Sequence, residues 1–191
     1  MKSRLRFKIE EYSEVHTGNI LIAKPFWGDE TYRRSVVLVL DHSPLASSGL
    51  ILNKVSNLLV HDALPELEHD AALFYGGPNN KKTVSFIHSN PNIPDAFYLG
   101  NDLYFGGNYN YFCEMQKMGM VDLDEFHFSA GFVHWKPGEL EKEQSANKWW
   151  VSEISKDDLF QLPAEELWGD MLVDDEHIYG LFNSQPDPSL N

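Results

Sequence analysis

The sequence predicts a single-domain α/β (α+β) protein in which helices flank a mixed β-sheet. Three observations carry that prediction. Short apolar runs bounded by Pro, Gly and Asn recur from residue 19 to residue 152, the punctuation expected of strands. Helical signals fall irregularly among them rather than after each one, which departs from regular parallel β-α-β winding. No low-complexity linker and no internal repeat divides the 191 residues, a length that suits one core.

Taken in order, "NILIAKPF" (19–26) is an apolar run ended by Pro25 and the turn-like "WGDE". "RSVVLVLDH" (34–42) contains Val36 to Leu40 without alternation, as expected of a central strand covered on both faces. "GLILNK" (49–54) and "AALFYGGP" (71–78) are further short strands, the latter closed by a Gly-Gly-Pro turn, and "TVSFIHS" (83–89) alternates more openly. Between them "LLVHDALPELEH", interrupted by Pro65, predicts no more than a brief helix. "NYNYFCEMQKMG" (108–119) predicts a helix capped by Asn108 and stopped by Gly119. "EFHFSAGFVHW" (125–135) predicts a strand with Phe126, Phe128, Ala130 and Phe132 on one face, and Pro137 suits the first position of the helix that follows. "WWVSEIS" predicts a strand, "DDLFQLPAEELWGDMLVD" one or two short helices broken near Pro163, and "NSQPDPSLN" a loop-like tail.

Composition bounds the function classes. A hydrophobic content of 42%, with twelve Phe and five Trp, excludes a disordered chain. The formal net charge of −14 repels polyanions and disfavours nonspecific DNA or anionic-membrane binding. Locally the balance differs: "MKSRLRFK" is basic, a terminal arm that leaves direct DNA binding open, although no helix-turn-helix with a basic recognition helix emerges. A single cysteine, Cys113, permits no internal disulfide or Cys-rich zinc site. With no signal-peptide pattern and no apolar run of membrane-spanning length, the expectation is a soluble, cytoplasmic protein.

Most catalytic motifs fail on inspection. In "GGPNNKKT" (76–83), Gly76, Lys82 and Thr83 stand at phosphate-loop spacing. Lys81 replaces the second glycine, however, and a strand follows where a helix is needed. Eight histidines form no H-E-x-x-H pattern; Glu66 and His69 lack the second copy a di-metal site requires, and His127 and His134 fall on opposite faces of one regular strand. No metal and no cofactor is expected. Cys113, beside Phe112 and Met115, reads as a buried inert thiol. "AGFVHWKPGELEKE" (130–143) gathers Glu139, Glu141 and Glu143. Acids in a first helical turn are stabilised by the helix dipole, and helical geometry puts 139 and 143 on one face and 141 on another. A hydrolase would have to use Glu141 or Glu139 with His134, the one other titratable group close by.

The ordered string "GNILIAKPF", "YRRSVVLVLDH", "GLILNK", "YGGP", "LYFGGNYNYF", "AGFVHWKPGELEKE" and "DPSLN" resembles the AlgH/YqgE family across residues 18 to 191, leaving 1 to 17 as an N-terminal arm. Gly18, Pro25, Arg34, Ser35, Asn53, Gly76, Gly77, Pro78, Gly131, Trp135, Pro137, Gly138, Leu140, Glu141 and Glu143 match the pattern. His134 stands where the family has Gly, Glu139 where it has Gln, and Asn80 follows a turn that often continues with Val. The resemblance implies one α/β domain around a bifurcated mixed sheet curled into a pseudo-barrel. By label it implies transcriptional regulation, and it brings no enzymatic activity or cofactor. The resulting expectation is a non-catalytic protein that binds a protein or small-molecule partner. Its candidate binding residues are Arg34, Asn53, Gly76, Gly77, Pro78, Trp135 and Glu141; the hydrolase and the direct DNA binder are the alternatives.

Overall fold

Val36 to Leu40, the most uniform apolar run, indeed lies deep inside the sheet: Val36, Val37, Leu38 and Val39 are fully buried. The computed structural model describes residues 14–25, 30–67 and 70–172. Its strands are β1 (Ile20–Ala23), β2 (Val36–Ser43), β3 (Ala46–Ile51), β4 (Val55–Leu59), β5 (Ala72–Tyr75), β6 (Asn79–His88), β7 (Phe97–Gly100), β8 (Leu103–Phe105), β9 (Phe126–Trp135) and β10 (Trp149–Ser152). The helices are α1 (Val60–Ala63), α2 (Tyr109–Lys117), α3 (Glu139–Ser145), α4 (Lys156–Gln161) and α5 (Ala164–Leu172). Strand order is β10-β1-β2-β3-β9-β6-β8-β7, with β4 and β5 branching off beside β9. The path does not close into a barrel among the described residues.

The branch point is β9. Along one edge it pairs antiparallel with β6, from His88↔Phe126 to Val84↔Ala130. Along the other it pairs first with β5, in parallel, at Phe74↔Ser129 and Tyr75↔Ala130, then with β3 at Gly49↔Val133 to Ser47↔Trp135. The sheet is therefore mixed and forked, as the family resemblance implies.

Gly131 stands at the fork. The turn Gly76–Gly77–Pro78 carries the chain from β5 on one edge of β9 to β6 on the other, crossing directly over Gly131. A Cβ on Gly131 would lie 2.5 Å from the Gly77 carbonyl oxygen, and one on Gly77 would lie 2.3 Å from the Phe132 carbonyl carbon. With φ at +78°, Gly131 also breaks the alternation of the strand. Phe126, Phe128 and Ala130 pack in one cluster as expected, but Phe132 packs in another. The single-face expectation for those four residues thus fails at the glycine.

Three apolar clusters fill the fold. Alternate residues of β1 and β2 divide between two of them: Ile20, Ile22, Val36 and Leu38 pack against Leu159, Leu167, Trp168 and Met171 of α4 and α5. Leu21, Ala23, Val37 and Val39 pack on the opposite side with Trp135, Leu140 of α3 and Trp149. The third cluster surrounds Phe112 of α2 with Phe86, Phe126 and Phe128. Burial of each large apolar side chain stabilises by about 1.5–3 kcal/mol before chain entropy is subtracted. The cap of α2 is the predicted one, since Asn108 Oδ1 accepts from the Tyr111 amide at 3.0 Å.

Several boundaries differ from expectation. The stretch read as a brief helix does hold one, α1, but it opens on the last two residues of β4 and continues into a 3-10 turn at Pro65–Leu67. Pro137 is not the first helical residue: Gly138, at φ +72°, is the cap of α3, and Pro137 belongs to the turn before it. A strand follows the Gly-Gly-Pro turn of the phosphate-loop look-alike, as predicted, but it begins at Asn79 rather than at Thr83. Between Asn79↔Phe132 and Val84↔Ala130 the register of β6 jumps, so residues 80–83 bulge out opposite Gly131 alone. The "WGDE" turn, the basic arm at 1–8, His69 and the tail from 183 fall wholly or largely outside the described residues.

Candidate functional site

Arg34 is a non-glycine residue held at φ +52°, a left-handed conformation that costs about 1–2 kcal/mol unless its surroundings impose it. Asn53 imposes it. At the end of β3, Asn53 Oδ1 accepts from the Val36 amide at 2.8 Å while its Nδ2 donates to the Arg34 carbonyl at 2.8 Å, clamping the entry to β2. The Arg34 guanidinium then lies 5.5 Å from the centre of the Trp168 ring, a cation–π distance. Trp168 is itself pinned, its indole N–H donating to the Ala23 carbonyl at 2.8 Å. Lys54 anchors the neighbouring loop, its ammonium donating to the carbonyls of Glu30 at 3.0 Å and Thr31 at 2.5 Å.

These groups line an open groove of about 450 Å³ with Arg33, Glu165 and Gly169. Among the described residues, the charged side chains that line it are Arg33, Arg34, Lys54 and Glu165. Such a surface suits a carboxylate or phosphate, which arginine forks bind through paired hydrogen bonds.

The other predicted site residues lie elsewhere. Gly76, Gly77 and Pro78 form the crossing over β9, where the two glycines are buried and perform a steric task. Trp135 is 2% exposed and packs edge-on to Trp149, with ring centres 6.4 Å apart. Both indole nitrogens donate to Glu143 Oε2 at 2.9 Å, which places Trp135 in the core and out of a ligand's reach. Glu141 is exposed in a second open groove, of about 510 Å³, with His16, His42 and Gln144.

The three acids of the "GELEKE" stretch form no single cluster: Glu141 points away from the other two as helical geometry requires, and Glu139 and Glu143 are parted by their hydrogen bonds. Glu139 accepts from the Lys136 amide at 2.8 Å and closes the turn before α3, Glu143 holds the two indoles, and Glu141 meets solvent. His134, exposed and paired with Ser48 across the β3–β9 ladder, does not line the Glu141 groove, so that groove does not unite the Glu141 and His134 of the alternative hydrolase reading. Cys113 is half-buried at the edge of the Phe112 cluster, less enclosed than expected. Among the described residues no group of three or more His, Cys, Asp or Glu is arranged to hold a metal, and no helix is long and apolar enough to cross a membrane.

Two buried histidines and one tyrosine–glutamate pair are electrostatically perturbed. Tyr109 donates to Glu66 Oε1 at 2.5 Å, which lowers the Glu66 carboxyl, while burial followed by the Glu66 contact raises the Tyr109 hydroxyl. Burial pushes His88 down, against its hydrogen bonds to the backbone of Gly106 and Asn90. His127 is pushed down to about 3 by burial alone, stacked on Phe74 at 3.9 Å with no hydrogen-bond partner for Nε2. An unfolded histidine titrates near 6.5, so below that pH the unfolded chain takes up a proton that folded His127 refuses. Stability is therefore fully present above about pH 6.5 and is lost as pH falls toward 3. Urea unfolding at pH 5 should show about 2 kcal/mol less stability than at pH 7 from this group, with His88 adding in the same direction. A His127→Phe chain should show a correspondingly shallower pH dependence, and an equal slope would remove His127 as its source.

Of the candidate binding residues, the structure brings Arg34 and Asn53 together. Arg33 and Lys54 are their sequence neighbours and complete the groove without any motif of their own. Trp168 comes from α5, more than a hundred residues away, and carried no sign of its partner.

A model described as AlgH-like matches residues 20–176. A UPF0301 protein of Cytophaga hutchinsonii is 32% identical over 178 residues, covering 91% of this chain and 98% of its own length. A UPF0301 protein of Parabacteroides distasonis is 34% identical over 179 residues, covering 91% and 90%. Among solved structures, protein DIP2367 from Corynebacterium diphtheriae superposes with a TM-score of 0.72 at 25% identity, covering 94% of this chain and 92% of that one. The solution structure of the AlgH protein from Pseudomonas aeruginosa has the same fold, with a TM-score of 0.70 at 23% identity and coverage of 93% and 98%. Sequence and fold agree, and the chain belongs to the AlgH-like family.

Proposed function

We propose that this chain is a cytoplasmic, non-catalytic binding protein that recognises an anionic group of a protein or small-molecule partner in the Arg34 groove. The observation that supports it is the Asn53 clamp: the half-buried amide accepts from Val36 and donates to the carbonyl of Arg34, which sits in a left-handed conformation over a pinned Trp168. Such preorganisation lowers the entropy lost when a ligand is gripped. A role in regulating gene expression would run through that partner, because the net charge of −14 opposes the phosphate contacts on which direct DNA binding depends.

Citrate and pyrophosphate are suitable probes, with Trp168 fluorescence as the readout. Binding of either is expected to be saturable and salt-sensitive, and Arg34→Glu should weaken it at least about tenfold by replacing an attraction with a repulsion. Asn53→Ala is expected to lose about 2–3 kcal/mol of stability by leaving the Val36 amide and Arg34 carbonyl without this partner, and to weaken binding while the guanidinium itself is intact. Equal binding by the wild-type chain and Arg34→Glu would defeat the proposal.

A further inference from the structure

The last described helix ends beside the Arg34 groove. α5 lends that groove Glu165, Trp168 and Gly169, and it stops at Leu172, three residues past Gly169 and so within one helical turn of it. Among the described residues, a methyl group on Gly169 would meet nothing within 4 Å, so this wall of the groove is open to a length of chain. The sequence continues with Val173, Asp174, Asp175 and Glu176, and the whole of 173–191 holds four acids and neither Lys nor Arg. An extended chain covers at most about 3.5 Å per residue, which keeps these three acids within about 7–14 Å of Leu172 and in reach of the groove just passed.

Charge selects which segment suits the place. Arg33 and Arg34 are exposed at the groove, and a carboxylate set against an arginine fork gains paired, charge-assisted hydrogen bonds. The basic stretch at residues 1–8 would meet like charge there instead. A tethered segment acts at an effective concentration on the order of millimolar, so pairing too weak to form between separate molecules is enough to hold it.

We propose that the acidic run Asp174, Asp175 and Glu176 folds back onto Arg33 and Arg34 and occupies the groove until a partner's anionic group displaces it. This rests on the reading of the groove as an anion site and adds its regulation: the chain carries its own competitor. The test is the full chain with Asp174→Asn, Asp175→Asn and Glu176→Gln combined. Removing three negative charges from a chain of net charge −14 relieves self-repulsion, which by itself leaves the melting temperature unchanged or raises it. At low salt the triple variant is expected to melt about 2–4 °C lower instead, and the same three changes should cause no further drop in a chain already carrying Arg33→Gln and Arg34→Gln. The triple variant should also bind pyrophosphate about tenfold more tightly than the wild-type chain. An unchanged or higher melting temperature, an equal drop without the arginines, or equal pyrophosphate affinities where both chains bind overturns the proposal. A drop that vanishes with the arginines, with no pyrophosphate bound by either chain, upholds the docked acids and removes the partner-binding reading.

Discussion

Gly131→Ala is expected to lose at least about 3 kcal/mol of stability, because the backbone conformation and the steric contact fail together. The residue sits at φ +78°, and a methyl group there would stand 2.5 Å from the Gly77 carbonyl oxygen and 2.9 Å from that of Asn79. Both contacts are backbone atoms, one in the tight turn and one in the paired strand β6, so neither can swing away as a side chain would. Gly119→Ala is the control: Gly119 has a similar φ of +69°, but a methyl group there meets nothing within 4 Å. That change should cost only about 1 kcal/mol. Denaturant melts of the two variants would separate the effects, and equal losses would mean that the chain crossing tolerates a side chain.

Glu143→Leu is expected to cost about 3–5 kcal/mol, because two buried indole N–H groups lose one shared charged acceptor. Trp135 and Trp149 are 2% and 1% exposed, and Lys148 reaches the second carboxylate oxygen at 3.3 Å. Glu143→Gln keeps an oxygen that both indoles can share and gives up only the charge, so it should lose about 1 kcal/mol. Calorimetric melting of the pair, with tryptophan near-ultraviolet dichroism as a local reporter, distinguishes them. A glutamine variant as unstable as the leucine variant would show that charge, rather than hydrogen bonding, holds this corner.

Legibility from sequence followed the physics of each element. β2 was readable because a strand buried on both faces needs consecutive apolar residues, and α2 because Asn108 and Gly119 mark its ends. β4 was not, since "VSNLL" is largely exposed in the structure and follows no one-face pattern. The fork at β9 came from the family resemblance, and the residues themselves pointed the wrong way: an alternating Phe pattern conceals the glycine that reverses it. In the groove, Arg34 and Asn53 belong to the sequence pattern while their neighbours Arg33 and Lys54 carry no motif, and Trp168 depends on a tertiary contact invisible in one dimension. Trp135 and the Gly-Gly-Pro turn stood out for structural reasons, and a pattern match does not separate a residue that binds from one that builds. His127 reads from the sequence only as a possible metal ligand; its burial against Phe74 is a property of its surroundings, which the chain order does not encode locally.

The position of β9 also governs the order in which the protein is made. β3, β5 and β6 all emerge from the ribosome before β9, yet each pairs with it, and β1 waits for β10 to pair at Ile20↔Ser152. Nascent chains that end before residue 126 therefore lack the strand joining the two arms of the fork, and their apolar edges stand open. Contacts of such long sequence separation slow folding and leave the growing chain exposed to aggregation, so chaperone demand should fall sharply once β9 clears the exit tunnel.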